Sequence, residues 1–386
     1  MNSNLTKSFK VYVIIIIISV LFSLYLFEAF LNYQKNANNN VKFKKEMLLK
    51  KENKVYDERT TEQYYRYLSN ENKNVNVAFY PNYFLKENSN FQPLSGVSNS
   101  LTINCNENGY ISTYLSDRFG FNNPDTEWDS DEIEYIIIGD SFAHGACVNR
   151  PNDISSILRN LTKKKVLNLG YGHIGPLFEY IILREYIQKN TKKILWLYYE
   201  GNDQSDLNIE LNNKFLNNYL SDSKFSQKLI TRQPEIDELI KKKIPDLLRY
   251  RDELRNKENV KYKILKFIRL DKTKRVFRNK KEKFQKKKFI GIIKKANDLA
   301  LNNNSKLYFV YLPSYYRYNK LIKDNNYKDF IFIKNSMKAL DIPFIDLHTD
   351  LISKNPKAFF PFGLAGHYNE NGYKEVGKFL FEKTKK

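Results

Sequence analysis

The sequence contains a candidate nucleophile at the end of an apolar run. Ile136–Ile138 is followed by Gly139, Asp140 and Ser141, within the stretch IIIGDSF. A serine hydroxyl is a poor nucleophile unless a neighbouring base removes its proton. Reactions at an acyl carbonyl also need hydrogen-bond donors aimed at the oxygen on which negative charge develops. Ser141 therefore needs two kinds of partner, a base and a set of N–H donors.

Later motifs supply residues of both kinds. The letters EGND place an amide side chain at Asn202, and GHYNENGY places an imidazole at His367. The glycine-rich stretch NLGYGHIGP, which begins at Asn168, offers backbone N–H groups that a substrate can approach closely. GDS alone is weak evidence, because turns favour all three residue types. The ordered combination indicates a nucleophile, a base and oxyanion donors.

Five short apolar runs predict the strands that would bring these motifs together. Each run is nearly continuous, as expected for a strand covered on both faces. Helical patterns separate the runs, and this alternation favours an α/β fold with a parallel sheet and right-handed crossovers. Sites collect at the carboxyl ends of such strands, so the motifs should meet at one edge. The predicted strands are Tyr135–Ile138, Val166–Leu169, Ile194–Tyr199, Leu307–Leu312 and Pro343–Leu347.

Together these motifs resemble the SGNH (GDSL-type) hydrolase family, which is named for four blocks built around Ser, Gly, Asn and His. The resemblance implies a flavodoxin-like, five-stranded parallel sheet flanked by helices. It implies Ser141 as the nucleophile, with its N–H also in the oxyanion hole, and His367 as the general base. It further implies Gly172 or, by spacing, His173 as a second backbone donor, and Asn202 as a side-chain donor.

Two flanking stretches extend this resemblance. SDRFGFNNPD and GDSFAHGACV are similar to a membrane-anchored bacterial subgroup of the family that is found near polysaccharide-assembly functions. No GxxxxGK[ST] phosphate loop and no HExxH metal pair occurs in the sequence. We therefore expect neither a cofactor nor a metal.

One position departs from the family pattern. The family usually has an aspartate three residues before the catalytic histidine, and Leu364 stands there instead. Such a carboxylate fixes the tautomer of the base, and disabling it in a serine protease cost about 10⁴ in rate. Three alternatives follow: a Ser–His pair oriented by a backbone carbonyl, a substitute acid at Asp346 or Asp350, or weak or lost catalysis.

An uncharged apolar segment begins at Val11 and approaches the roughly 20 residues that a membrane-spanning helix needs. No small-residue cleavage site follows it, so we expect an uncleaved signal anchor. The positive-inside rule favours a cytoplasmic body, because more lysines follow the segment than precede it. The family resemblance implies a periplasmic or extracellular body instead, and this conflict stays open.

The domain organisation follows from these features. We predict a tail at residues 1–10, an anchor at 11–31, a stalk at 32–75, and a hydrolase-like domain at 76–386 with a helical insertion at about 204–305. The insertion is rich in lysine and arginine, with apolar residues at helical spacing. This pattern is typical of a solvated helical cap, and the alternative is a face that meets a membrane surface or an acidic polymer.

Charge and cysteine content narrow the partners. The formal net charge is +21, which favours contact with anionic lipid surfaces or acidic glycans. No nucleic-acid-reading motif occurs, so nucleic acid is not an expected partner. Cys105 and Cys147 are too few for a metal site. They are either a disulfide, which would support export, or two buried thiols.

Three functions are consistent with the sequence. The first is a single-pass, inner-membrane serine esterase that removes O-acyl groups, including O-acetyl groups, from a glycan or lipid through an acyl-serine intermediate. The second is an O-acyltransferase in polysaccharide modification, which would share the first half-reaction. The third is a catalytically weak or inactive scaffold that binds polysaccharide, which Leu364 favours. The sequence indicates no particular protein partner.

Overall fold

The computed structural model describes residues 2–38, 41–51, 53, 55–86, 91–256, 260–278, 284–318 and 327–385. Contacts divide the chain into two compact units. The anchor unit comprises Met1–Lys44 and Asp246–Lys283, and the body comprises Lys45–Pro245 and Phe284–Lys386.

The described residues form eight strands and fifteen α-helices. The strands are β1 (Val75–Val77), β2 (Leu101–Ile103), β3 (Thr113–Leu115), β4 (Ile133–Gly139), β5 (Val166–Asn168), β6 (Thr191–Tyr199), β7 (Lys306–Leu312) and β8 (Phe344–Asp346). The helices are α1 (Asn2–Asn38), α2 (Val41–Lys51), α3 (Thr61–Glu71), α4 (Ser141–His144), α5 (Ile154–Thr162), α6 (Pro176–Tyr186), α7 (Asp203–Glu210), α8 (Lys214–Ser221), α9 (Gln233–Asn256), α10 (Val260–Ile268), α11 (Asp271–Arg278), α12 (Lys286–Asn302), α13 (Tyr327–Ala339), α14 (Leu347–Asp350) and α15 (Glu370–Thr384).

The main sheet of the body has five parallel strands in the order β5-β4-β6-β7-β8. All five strands predicted from the apolar runs are present, with ends shifted by up to three residues. Their side chains are buried on both faces, as in Ile137 and Ile138, successive residues of β4 that point to opposite faces and are both fully buried. The predicted parallel α/β fold is therefore confirmed.

Helices cover both faces of this sheet. On one face, α5 and α15 pack against each other, and Leu158 and Val376 join the sheet residues in a buried apolar cluster. On the other face, α6 packs on β4, and α12 packs on both β7 and α6. The sheet is thereby shielded from water on both sides, and its carboxyl edge is left for the loops that carry polar residues.

A small second sheet was not predicted from the sequence. Its strands have the order β1-β2-β3. Strand β1 runs parallel to β2, and β2 runs antiparallel to β3. Each strand has only three residues, too few for a periodic pattern to stand out. The sheet packs with α3, so that Val75 and Ile103 are buried beneath Leu68.

The predicted stalk does not match the packing. Residues from Lys45 onward belong to the body, and Leu49 of α2 is 5% exposed. Helix α3 begins with a capping box between Thr60 and Gln63, and it contacts β1. The polar composition of residues 45–75 concealed these contacts, because only scattered side chains of the segment are buried.

The predicted insertion is likewise divided. Residues 204–245 and 284–305 pack in the body, whereas 246–256 and 260–278 pack in the anchor unit. The anchor unit is built on α1, in which the segment Val11–Tyr33 has a mean hydropathy of 2.6 and is almost entirely exposed. By length and composition, this segment is able to cross a membrane.

Candidate active site

Ser141 lies immediately beyond the carboxyl end of the inner strand β4, which lies between β5 and β6. The chain turns at Gly139, whose φ of 147° is readily adopted by glycine but rarely by other residues. A side chain there would also overlap the backbone oxygen of Leu197 on β6. Asp140 then caps the short helix α4, since its carboxylate accepts a hydrogen bond of 2.9 Å from the N–H of Phe142. This turn places the Ser141 side chain above the sheet edge.

The turn after Ser141 is braced by buried polar side chains. The amides of Asn122 and Asn168 both donate to the carbonyl oxygen of His144, at 3.0 and 3.4 Å. Asn122 belongs to the SDRFGFNNPD stretch, in which the buried carboxylate of Asp117 accepts hydrogen bonds from the N–H groups of Phe119 and Phe121. This stretch therefore supports the turn that carries Ser141, the candidate nucleophile.

His367 reaches Ser141 from a loop 226 residues further along the chain. Its Nε2 lies 2.8 Å from Ser141 Oγ, within hydrogen-bond reach. The loop leads into α15, which Asn369 caps by accepting a hydrogen bond from the N–H of Gly372. The ring of Phe142 packs 4.9 Å from the imidazole and supports its orientation.

Glu107 is the acid beside this imidazole. Its Oε1 lies 3.2 Å from His367 Nδ1, and its Oε2 accepts a hydrogen bond of 2.5 Å from the His367 backbone N–H. An ionised carboxylate only accepts hydrogen bonds, so the imidazole proton resides on Nδ1 and Nε2 is free to accept from Ser141. Glu107 thus supplies the tautomer that a general base requires.

The charges of this pair shift both pKa values. Burial by itself lowers the pKa of His367, but the hydrogen bond and charge of Glu107 outweigh it and raise the pKa above the ordinary 6.5. Burial raises the pKa of Glu107, and the bonds to His367 reverse this, so that its pKa is lowered. The carboxylate is therefore ionised when the imidazole works as a base.

The acids suggested by the sequence lie elsewhere. Asp346 caps α14, where its carboxylate accepts from the N–H groups of His348 and Thr349. Asp350 forms a surface ion pair with Lys383. Neither has a contact with His367 in the described part of the chain. Leu364, three residues before the histidine, needs no carboxylate. Glu107, which lies 260 residues before His367 in the chain, contacts the imidazole instead.

Lys45 lies behind Glu107. Its side chain is buried, and its charge lowers the pKa of Glu107 and of His367. Burial lowers the pKa of Lys45 itself, and Glu107 partly offsets that effect. A side-chain carbon at Gly366 would overlap Glu107 Oε2 and lie 3.5 Å from Lys45 Nζ, so the two charged groups flank this glycine. Serine, imidazole, carboxylate and ammonium thus follow one another.

A disulfide joins Cys105 to Cys147. Cys105 is two residues before Glu107, and Cys147 is six residues after Ser141, so the bridge ties the acid's loop to the nucleophile's turn. The Cys147 sulfur lies 3.8 Å from His367 Nδ1. Glu107, Cys147 and His367 could group around a metal by distance alone. The sulfur of a disulfide is not a thiolate ligand, so this trio does not fit a metal site.

Candidate oxyanion donors lie on the segments that follow β5 and β6, the two strands next to β4. In the described residues, no acceptor faces the N–H of Ser141 or of Gly172. Asn202 follows β6, the direct neighbour of β4, and its Nδ2 donates one hydrogen bond of 2.6 Å to Asp206. The second proton of that Nδ2 is available to a substrate oxygen. Burial raises the pKa of Asp206 to about 6, so its carboxylate is ionised at neutral pH.

The remaining histidines are separate from this constellation. His144 is buried, and burial lowers its pKa to about 4, which keeps the ring neutral. His173 has a positive φ of 56° and packs its ring 4.3 Å from that of Tyr80. His348 Nδ1 lies 2.9 Å from the hydroxyl of Tyr318. Among the four histidines, only His367 has a contact with Ser141 in the described structure.

Glu107 and Asp206 were missed by sequence reasoning. The pairing of Cys105 with Cys147 was one of two alternatives, and it would itself have placed Glu107 near the turn after Ser141. Asp206 follows Asn202 by four residues, which is one turn of α7 and places both side chains on the same face. The first signal requires the disulfide to be assumed, and the second requires a helix after Asn202 to be assumed. Neither is visible in the amino-acid sequence by itself.

Among the solved structures that resemble this chain are a lipolytic protein, an esterase and a lipase. One, described as a lipolytic protein of the G-D-S-L family from Desulfitobacterium hafniense, is 14% identical and has a TM-score of 0.38 over 65% of this chain and 99% of its own. The acetyl xylan esterase AlAXEase is 12% identical, with a TM-score of 0.37 over 65% of this chain and 100% of its own. A GDSL-like lipase from Bacteroides thetaiotaomicron is 12% identical, with a TM-score of 0.34 over 65% of this chain and 86% of its own.

No family model and no curated protein matches the sequence. The similarity to the solved structures is too low to carry an argument about activity.

Proposed function

We propose that the protein is a serine esterase of the SGNH type that forms an acyl-serine intermediate. The observation that carries this proposal is the continuous chain of contacts from Ser141 Oγ to His367 Nε2, and from His367 Nδ1 to Glu107. This arrangement has the nucleophile, the base and the orienting acid of a catalytic triad. The backbone N–H groups of Ser141 and Gly172 and the amide of Asn202 are the proposed oxyanion donors.

The proposed reaction has two halves. Ser141 Oγ attacks the ester carbonyl carbon while its proton passes to His367 Nε2. The oxyanion donors hold the negative oxygen, and the bond to the leaving alcohol breaks as the imidazolium returns the proton to that alcohol. Water then gives a proton to His367 and attacks the acyl-serine, which releases a carboxylic acid and restores Ser141. Glu107 stays ionised and stabilises the imidazolium in both halves.

The proposed substrate class rests on the apolar segment and the net charge of the chain. A chain carrying an apolar segment long enough to cross a bilayer and a net charge of +21 favours anionic surfaces at a membrane. We propose O-acylated glycans or lipids as substrates. The acceptor in the second half-reaction, water or a sugar hydroxyl, distinguishes an esterase from an O-acyltransferase, and product analysis with an acylated oligosaccharide and a free acceptor measures it.

The scaffold alternative loses its main support. It was favoured by Leu364, which left the histidine without an acid in the sequence. Glu107 occupies the position beside Nδ1 that this acid would take. A binding-only protein has no need for a carboxylate that fixes the tautomer of a histidine at hydrogen-bond distance from a serine.

The proposed location of the body is outside the cytoplasm. The support is the disulfide between Cys105 and Cys147, since such bonds persist in oxidising compartments. The lysines that follow the apolar segment argue for the opposite orientation. Fusion of alkaline phosphatase and of a cytoplasm-active reporter after Lys386 tests the side, and activity of the cytoplasmic reporter alone would refute our proposal.

The enzymatic proposal is tested with the full chain in detergent micelles. Wild type should hydrolyse a short-chain aryl ester and be labelled by a fluorophosphonate at Ser141. Ser141→Ala should lose labelling and about 10⁶-fold in kcat, the scale found when a protease nucleophile is removed. Ser353→Ala, which alters an exposed hydroxyl bonded to its own turn, is the matched control. Equal turnover by wild type and Ser141→Ala would refute the proposal.

A further inference from the structure

A carboxylate is buried within the apolar helix α1. Glu28 is fully buried and accepts three hydrogen bonds from α11: from the N–H of Lys272 at 3.2 Å, and from the N–H and hydroxyl of Thr273 at 2.7 and 2.8 Å. These groups lie in the first turn of α11, whose backbone N–H groups have no intrahelical acceptor. Glu28 therefore caps a helix that lies 245 residues further along the chain.

Further contacts hold α1 to the residues before and within α11. The hydroxyl of Tyr25 donates to the carbonyl of Ile268 at 3.0 Å, and its ring lies 5.7 Å from that of Phe267. Lys272 Nζ donates to the carbonyl of Leu31 at 3.2 Å. We call Val260–Arg278, which contains α10 and α11, the basic helix pair. These contacts place the pair beside the last turns of the segment Val11–Tyr33, from Tyr25 to Leu31.

The basic helix pair exposes apolar side chains beside this segment. Ile264 is 52% exposed, Ile268 is 56% exposed and Phe277 is 77% exposed. Phe277 also borders an apolar groove of about 510 Å³ on α1, together with Val20 and Phe27. Exposed apolar side chains on several successive turns are costly in water, and they mark a surface that meets something apolar.

The charged residues of the pair are nearly all basic. Asp271 is the one acidic residue between positions 260 and 278, and the basic residues are Lys261, Lys263, Lys266, Arg269, Lys272, Lys274, Arg275 and Arg278. Long basic side chains can extend from apolar surroundings towards a polar boundary and contact anionic headgroups there. Helices that combine exposed apolar and basic residues in this way lie in the plane of membrane interfaces.

We propose that the basic helix pair is a membrane-interface element that Glu28 fastens to α1. Its apolar side chains enter the boundary between headgroups and acyl chains, and its lysine and arginine side chains contact anionic lipid. The occupant of this surface is thus an anionic bilayer, namely the bilayer that α1 enters. The pair turns a single span into a wider anchor, and α1 must be retained for it to form. This proposal does not depend on the esterase chemistry.

Lipid contact is measured on the full chain in vesicles that contain phosphatidylglycerol. Single cysteines replace Ile264 or Phe277 and carry an environment-sensitive dye, and the native cysteines are already paired. Leu301→Cys is the matched control, since Leu301 is 60% exposed on the body. Dyes at 264 and 277 should be quenched by doxyl-labelled lipid and protected from aqueous iodide, unlike the dye at 301. Quenching by iodide at 264 and 277 to the extent seen at 301 would overturn the proposal.

The source of the contact is separated by lipid composition. In vesicles of phosphatidylcholine alone, α1 still inserts, and lipid quenching at Ile264 should fall because the basic side chains lose their anionic partners. Equal quenching in both compositions would remove the anionic-lipid part of the proposal. If doxyl-labelled lipid quenches neither the dye at 264 nor the dye at 277 in either vesicle composition, the exposed surface meets something other than a membrane.

The role of Glu28 is measured by substitution in the same system. Glu28→Ala should lower lipid quenching at Phe277 and increase tryptic cleavage within the basic helix pair. Glu28→Gln keeps one carbonyl acceptor for Thr273 and should lie between this variant and wild type. Tyr12→Phe is the control, because Tyr12 is 66% exposed near the opposite end of the segment. Unchanged quenching and cleavage in Glu28→Ala would overturn the proposal that Glu28 fastens the basic helix pair to α1.

Discussion

Glu107 holds His367 at two points, the Nδ1 of its ring and the N–H of its backbone. The two contacts fix both the tautomer of the imidazole and the position of the loop that carries it. The acid comes from a turn 260 residues earlier in the chain. The relationship replaces the usual aspartate beside the histidine in sequence with an acid that is adjacent only in space.

Removing the charge of Glu107 should reduce catalysis without abolishing substrate binding. We expect Glu107→Gln to lower kcat by up to about 10⁴-fold with a smaller effect on KM, because the amide no longer enforces the proton on Nδ1. The measurement is steady-state hydrolysis of an aryl ester. Asp350→Asn, which breaks only a surface ion pair, is the control and should keep wild-type activity. A wild-type kcat for Glu107→Gln would contradict the assignment.

The residual activity of Glu107→Gln should have a shifted pH profile. The proposed base, His367, acts in its neutral form, so activity should rise with pH through the raised pKa of that group. The negative charge of Glu107 favours the imidazolium, and its loss lowers the pKa. The acid limb of kcat/KM should therefore move to lower pH. A limb that stays in place would show that Glu107 does not act on the imidazole electrostatically.

Lys45 should shift the same limb in the opposite direction. Its ammonium disfavours the imidazolium and lowers the pKa of His367. In Lys45→Met that repulsion is lost, so the acid limb should move to higher pH while the enzyme remains folded. Lys44→Met, at the exposed neighbouring position, is the matched control. Identical limbs for both variants would exclude Lys45 from a positioning role.

The disulfide should contribute both to stability and to catalysis. In the Cys105→Ser/Cys147→Ser variant, the loss of a cross-link spanning 42 residues should lower the free energy of unfolding by up to about 4 kcal/mol. The loop carrying Glu107 should also loosen, so that kcat falls more than KM rises. Urea unfolding and steady-state kinetics below the unfolding range measure the two effects. Loss of stability with an unchanged kcat would mean that the bridge does not position the acid.

Asn202 should act on the transition state. Asn202→Ala is expected to lower kcat by about 10²- to 10³-fold, the range for loss of one oxyanion donor. Asp206→Asn should give a smaller loss, because the amide of Asn202 keeps its position less well without the carboxylate. Asn212→Ala, which removes an exposed amide bonded to its own helical turn, is the control. Equal kcat in wild type and Asn202→Ala would remove this residue from the proposed oxyanion hole.

The sheet could be predicted because its pattern is local. Each of the five strands is an apolar run that needs no knowledge of its partners, as in Leu307–Leu312, and the helices between them repeat every three to four residues. The relation of Ser141 to His367 was also predictable, since both follow strands whose carboxyl ends share an edge. The structure then supplied the distance between them, which a pattern of letters does not contain.

The amino-acid sequence alone determined the α/β fold, the apolar segment and the residue types available for acyl chemistry, because these are encoded over short windows. Only the tertiary structure decided that Glu107 orients His367, that the residues from Lys45 through α3 belong to the body, and that Glu28 caps α11. Each of these contacts joins groups distant along the chain, and a single acid, lysine or threonine in a polar stretch has no periodicity that marks its partner. Such pairings depend on the packing of the whole chain, which brings buried charges together because a lone buried charge is too costly.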